Sequence, residues 1–213
     1  EWMKVDRLHI AEVEMAMQGI RQVYHCAAMV SYDPKFHQQM LEVNVQGTAN
    51  WVNAALDSGV EKFVHVSSIA AIGREEQSEW VTEATEWNPK ATRSAYATSK
   101  YQSEMEVWRG MGEGLSVVIV NPSVILGEGD WNKSSTNLFK VVYNEFPWYT
   151  EGATGWVDVM DVARAMIALM ESSVEGERFI VNGHNATFRD VFSQMASLMG
   201  KRAPHRKATS WMS

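Results

Sequence analysis

A single cysteine, Cys26, stands among 213 residues, so the chain has neither an intrachain disulfide framework nor a cysteine-rich metal site. Lying between His25 and Ala27 in an apolar run, it reads as a packed core thiol rather than a nucleophile. Cations are also in short supply. Nineteen Lys and Arg against 26 Asp and Glu leave a formal charge of -7, which argues against nucleic acid as a partner, because phosphate neutralisation needs concentrated positive charge. The nearest approach to a basic patch, Lys201, Arg202, Arg206 and Lys207, reads as a solvated end. There is no signal peptide and no apolar run of the roughly 20 residues that a membrane helix needs. The expectation is a soluble, cytoplasmic protein without a membrane partner.

A hydrophobic content of 46% and a charged content of 21% suffice for one domain, or one domain with a smaller lobe. Residues 23–27, 62–66 and 115–120 are short runs rich in apolar and β-branched side chains. They are continuous rather than alternating, as expected of strands covered on both faces. Helical periodicity fills the intervals, over residues 35–57 and 94–111, with a polar loop at 74–93. Strands separated by helices imply a doubly wound parallel α/β sheet. Past Pro122 the pattern changes to loops and short helices, near 136–145, 158–170 and 187–199. Thr187 and Asp190 stand at capping-box spacing before the last of these, and Asp161 is placed to cap the helix entering Val162. The expected division is 1–130 as a partial dinucleotide-binding domain and 131–213 as a small substrate lobe with the last sheet elements.

Tyr96 and Lys100, four residues apart in a predicted helix, share one face. An ammonium near a phenol favours the phenolate and lowers its pKa, making the tyrosine a candidate general acid/base. Ser68 follows the strand ending at Val66, where parallel sheets present functional groups. Its hydroxyl can bond a substrate oxygen on which charge gathers as hydride arrives.

The stretches Val23-Tyr-His-Cys-Ala-Ala28, Asn44-Val-Gln-Gly-Thr48, Val64-His-Val-Ser-Ser-Ile-Ala70, Tyr96-Ala-Thr-Ser-Lys100, Asn121-Pro-Ser123 and Val157-Asp-Val-Met-Asp-Val-Ala163 occur in this order. The chain thereby resembles the extended short-chain dehydrogenase/reductase family, the NAD-dependent epimerase/dehydratases, and within it the dihydroflavonol-reductase-like and 3β-hydroxysteroid-dehydrogenase-like members. The resemblance implies a Rossmann-type fold with NAD or NADP as cofactor. It implies Tyr96 as the acid/base, Lys100 as its partner and a ribose ligand, Ser68 as the catalytic serine with Ser67 beside it, and Asn44 as a holder of site geometry. It also implies cofactor contacts from Ala27, Ala28, Pro122 and Ser123, with Asp6 near the adenine. Homodimerisation is a family expectation.

No Gly-x-Gly-x-x-Gly or Gly-x-x-Gly-x-x-Gly turn precedes Tyr24. The first βαβ unit, about 50 to 60 residues by family comparison, is therefore expected to be absent from this sequence. The leading expectation is hydride transfer between NAD(P) and a carbonyl or secondary alcohol of a small, fairly apolar molecule. Sugar-nucleotide epimerisation or dehydration is the alternative, and a non-catalytic dinucleotide sensor or scaffold is a third. For dehydration, Ala70-Ala71 offers no acid/base pair beside the serine. Trp131, Trp148 and Trp156 are candidates to line an apolar pocket. The histidines have no ligand spacing for a metal.

Overall fold

The computed structural model describes residues 2–73, 80–91 and 94–208. Residues 74–79 and 92–93 of the expected polar loop lie outside the described residues. Two compact units interleave along the chain: Glu1–Pro122 with Arg164–Ile180, and Ser123–Ala163 with Val181–Ser213. A single boundary at 130/131 does not describe them, because the chain returns to the first unit after residue 163.

The first unit opens with helix α1 (Ile10–Met17) and strand β1 (Gln22–His25). A single turn at Pro34–Phe36 then leads into α2 (His37–Leu41), a π-helical turn at Glu42–Gln46 and α3 (Gly47–Asp57). Strand β2 (Lys62–Val66), the long α4 (Ala95–Gly112) and β3 (Val117–Pro122) follow. β1 pairs with β2 and β2 with β3, all parallel. In the second unit come β4 (Val124–Leu126), α5 (Asn137–Tyr143), β5 (Trp148–Tyr149) and β6 (Ala153–Asp158). Helix α6 (Val159–Glu171) carries the chain back to β7 (Glu177–Val181), which takes its place beside β3, giving the sheet order β1-β2-β3-β7. The last elements among the described residues are β8 (His184–Thr187), α7 (Phe188–Leu198) and β9 (Arg206–Lys207).

Alternation within the central strands explains their unbroken apolar runs. Phe63, Val117 and Ile119 join Val13, Met17, Val52 and Val107 in one cluster, while Val64 and Val118 pack with Met170 in another. Both sheet faces are thus buried at β2 and β3. β1 departs from that expectation, with Gln22 and Tyr24 exposed, because it is the edge strand of this sheet. Cys26, just past its end, is exposed rather than packed in the core. Gly110 lets α4 approach α3 closely, since a Cβ there would come within 2.5 Å of Val52 Cγ1.

The second unit holds a small sheet in the order β4-β6-β8, parallel then antiparallel, and the two-stranded ribbon β5–β9. Its core is Val142, Phe192, Met195 and Ala196, with Leu126, Leu138, Phe139 and Phe188 against it. The expected caps are corrected in part. Thr187 Oγ1 accepts from Asp190 N at 3.1 Å, as the spacing predicts, but α6 is capped by Asp158, which accepts from Met160 N at 2.7 Å. Asp161 instead occupies the first turn, where a carboxylate favours the helix dipole. Among the described residues, no helix is long and apolar enough to cross a membrane.

Candidate active site

The site is assembled at the C-terminal ends of β1 and β2 and the start of α4. Ser94 caps α4, its Oγ accepting from Ala97 N at 3.1 Å, so Tyr96 falls in the first turn and Lys100 one turn later. Leaving β2, the backbone at Ser68 is extended, and the Ser68 Oγ accepts from Ala70 N at 3.2 Å to start the short turn Ile69–Ala71. The Ser68 hydroxyl lies against the phenol of Tyr96, an interaction that favours the phenolate. Tyr32 stands across from it, ring centroids 6.1 Å apart. Lys100 is 2% exposed and its Nζ donates to Val66 O at 2.8 Å, which ties the helix to the end of β2.

The electrostatics differ from the expectation. Burial pushes the Tyr96 phenol above its ordinary value, with Ser68 opposing and Tyr32 reinforcing the rise. The expected lowering by Lys100 is not found. That ammonium is turned to the Val66 carbonyl and is itself pulled down to about 8, by burial first, against the raising influence of Glu104. Tyr96 therefore holds its proton near neutral pH.

Asn44 is buried. Its Oδ1 accepts from Met29 N at 2.7 Å, and its Nδ2 donates to Met29 O at 2.9 Å and to Ser99 Oγ at 3.0 Å. Ser103 Oγ donates to Asn44 O at 2.9 Å and to Ser99 O at 2.7 Å. That carbonyl lies in the π-helical turn at Glu42–Gln46, a turn type common at functional sites, and also takes the N–H of Gly47. Asn44 thereby staples the segment after β1 to α4.

Of the remaining candidates, Ala27, Ala28, Ser67 and Pro122 stand at the C-terminal ends of the adjacent parallel strands β1, β2 and β3. Ala27 is exposed and Ala28 half-buried, both just past β1. Ser67 is buried, its hydroxyl beside Glu104 yet without a well-formed hydrogen bond. Pro122 closes β3 in the first unit. Ser123 belongs to the second, its N donating to Val181 O at 3.1 Å. Asp6 is exposed and occupied locally, accepting from Leu8 N at 3.0 Å. Within the second unit, Trp131 lines a cleft of 650 Å³ with Phe139, Met160 and Met199, whereas Trp148 and Trp156 do not. Trp156 is buried instead, its Nε1 donating to Ala186 O at 3.1 Å.

Two features were not anticipated from the sequence, the buried carboxylate of Glu104 and the pairing of His25 with His65. Glu104 is fully buried in α4 one turn beyond Lys100, facing Asn121 and Arg178. His25 and His65 form a buried pair, Nδ1 to Nδ1 2.9 Å apart. Burial pushes His25 down to about 3 and His65 well below its ordinary value, so both are neutral. Spacing alone offered a signal for Glu104, at i+4 from Lys100 and i+8 from Tyr96. A glutamate in a helix ordinarily reads as solvated.

The residues present suit the ribose and nicotinamide end of a dinucleotide. A buried ammonium has N–H groups beyond the one given to Val66, and the exposed Ala27 leaves the backbone open to close approach. The glycine turn for the pyrophosphate is not in this sequence.

Comparison with known proteins identifies the family and the fold. The chain is 27% identical over 218 residues to a putative dihydroflavonol 4-reductase of Synechocystis sp., covering 100% of this chain and 63% of that protein. It therefore spans less than two thirds of that relative's length. The solved structure of gox2253 superposes with a TM-score of 0.89 at 30% identity, covering 97% of this chain and 64% of the other. The UDP-glucose 4-epimerase of Thermus thermophilus, solved with NAD, gives a TM-score of 0.81 at 27% identity, covering 96% of this chain and 70% of the other. Residues 1–182 match the NAD dependent epimerase/dehydratase family, and the chain belongs to it.

Proposed function

We propose that this chain carries the acid/base half of an NAD(P)-dependent enzyme that moves a hydride to or from a carbon–oxygen centre of a small molecule. The observation that carries the proposal is the Tyr96 phenol lying against the Ser68 hydroxyl at the end of β2, one helical turn from buried Lys100. A bound nicotinamide supplies or accepts the hydride. Tyr96 gives its proton to the substrate oxygen in reduction and takes it back in oxidation. Its raised pKa suits the donating role, since the proton is present when charge develops. Ser68 donates to the same oxygen, where a preformed hydrogen bond is worth most. Lys100 holds the ribose hydroxyls with the N–H groups not given to Val66, and Asn44 fixes the helix that presents both Tyr96 and Lys100. Ala27, Ala28, Ser67, Pro122, Ser123 and Asp6 are proposed as further cofactor contacts.

Two fates of the hydride define two finer readings. Its return to the same substrate, in sugar-nucleotide epimerisation, has the broader support in the family match and the NAD-bound epimerase. Net reduction of an apolar ketone is the second reading, favoured by the likeness to the dihydroflavonol reductase. Dehydration is weakened only slightly by the absence of an acid or base in Ile69–Ala71, which follows Ser68, because other segments can contribute such groups.

The test uses the full-length protein with NAD and NADP in both redox forms, against UDP-hexoses and apolar ketones. Epimer formation at constant cofactor redox state supports the first reading, and stoichiometric loss of reduced nicotinamide supports the second. Binding of the dinucleotide without turnover of any substrate, unchanged by Tyr96→Phe, contradicts both and favours a sensor.

A further inference from the structure

Glu104 is a carboxylate placed where carboxylates are costly, with 0% of its surface exposed. It sits four residues beyond Lys100 and eight beyond Tyr96, so the three share one face of α4. Its Oε1 accepts from Asn121 Nδ2 at 2.5 Å, and the same amide donates to Ser68 O at 3.0 Å. One side-chain amide thus spans the carboxylate and the backbone of the proposed catalytic serine. Arg178 Nη1 lies 3.4 Å from Glu104 Oε2, and Arg178 Nε donates to Glu83 O at 3.1 Å. Burial pushes the Glu104 carboxyl up, while Ser67, Asn121, Arg178 and Lys100 all favour the anion.

The groups around Lys100 single out this carboxylate. Tyr96 precedes it on α4, Cys26 and His25 lie at the end of β1, His65 is on β2 and Arg7 comes from the segment before α1. The two histidines are neutral and Arg7 is a cation. Glu104 is the leading influence that keeps Lys100 protonated against burial.

We infer that Glu104 is a positioning residue for the hydride-transfer site, holding Lys100 as an ammonium and, through Asn121, holding the Ser67–Ser68 turn against the same helix. The inference rests on the reading of Tyr96, Lys100 and Ser68 proposed above. A merely space-filling role would leave the charge without purpose. Glu104→Gln keeps the size and an acceptor for Asn121 but removes the charge.

Two readouts separate this inference from the function it rests on. In the folded protein carrying ¹³C at the lysine ε positions, the Lys100 resonance, identified by its loss in Lys100→Met, is followed against pH. In Glu104→Gln its midpoint drops by about one unit, as expected on losing an opposite charge one helical turn away. Glu104→Asp, which draws the charge back by one methylene, lowers it by less and keeps the test open should the Gln variant not fold. Under a substrate turned over by the full-length protein, the alkaline limb of kcat moves down by the same amount in Glu104→Gln, with little change in KM. A Lys100 midpoint that stays at the wild-type value in both variants overturns the inference, whatever the activity does. Full turnover by Tyr96→Phe would defeat the hydride-transfer reading instead, while the Lys100 titration would still report on Glu104.

Discussion

The interiors of the two units are built on different terms. The second unit is held by ordinary apolar contacts, Val142, Phe192, Met195 and Ala196 between α5 and α7, with Trp156 edge-on to Phe188 at 5.1 Å. The first has a comparable apolar core, yet it also buries Asn44, His65, Ser99, Lys100, Ser103, Glu104 and Asn121 at 2% exposure or less. Buried polar groups are tolerated only when paired, and most of these are stitched to one another or to backbone. The buried polar groups share the unit that holds the proposed residues Tyr96 and Ser68, whereas the second unit is packed from apolar side chains.

The sharpest way to break this contrast is Tyr96→Phe, which removes one hydroxyl from a half-buried ring. Turnover by the full-length protein should fall by roughly 10²–10⁴-fold, the usual scale for a positioned acid/base. The thermal midpoint should hardly move. In the second unit Phe192→Ala should do the opposite, costing about 3–5 kcal/mol of stability. Denaturant titration checks it, and a cost well under 1 kcal/mol would mean that this core is not what holds the unit. Asn44→Ala falls between them. Loss of three side-chain hydrogen bonds at a buried position should cost about 2 kcal/mol and lower activity as well, because the segment after β1 is released from α4.

Lys100 provides a pH test with a defined sign. Its folded pKa of about 8 lies below the ordinary 10.5, so between these values the unfolded chain binds a proton that the folded chain does not. The burial penalty is fully present below about pH 8 and is relieved as pH rises toward 10.5. Wild-type stability should therefore climb relative to Lys100→Met across that window, by a few kcal/mol at most. A flat difference would mean that Lys100 is solvated. The smallest effect is Thr187→Ala, which removes the α7 cap and should cost about 1 kcal/mol without touching activity.

Much of this architecture can be read from the chain itself. β2 coincides with the run at residues 62–66, and α4 starts after Ser94 because serine there both ends the loop and caps the helix. β7 was hidden, since half-buried Arg178, Phe179 and Ile180 give no clean period, and α1 was missed for its weak face. The proposed set Ser68, Tyr96 and Lys100 was legible as a candidate because its spacing is local or lies at a strand end. Glu104 was passed over because a helical glutamate ordinarily reads as solvated, and its pairing with Arg178, 74 residues away, leaves no trace in periodicity. The direction of the Tyr96 shift escaped for a related reason. Spacing shows that a lysine is one turn away, but not that its ammonium is turned to Val66.

The central claim is that Tyr96 passes the proton that accompanies hydride transfer. Its most direct test is single-turnover absorbance of the nicotinamide in the full-length protein, wild type against Tyr96→Phe, with cofactor and a processed substrate both bound. The account predicts a hydride step slowed at least about a hundredfold in the variant, with dinucleotide affinity retained. An unchanged hydride step in Tyr96→Phe would contradict it.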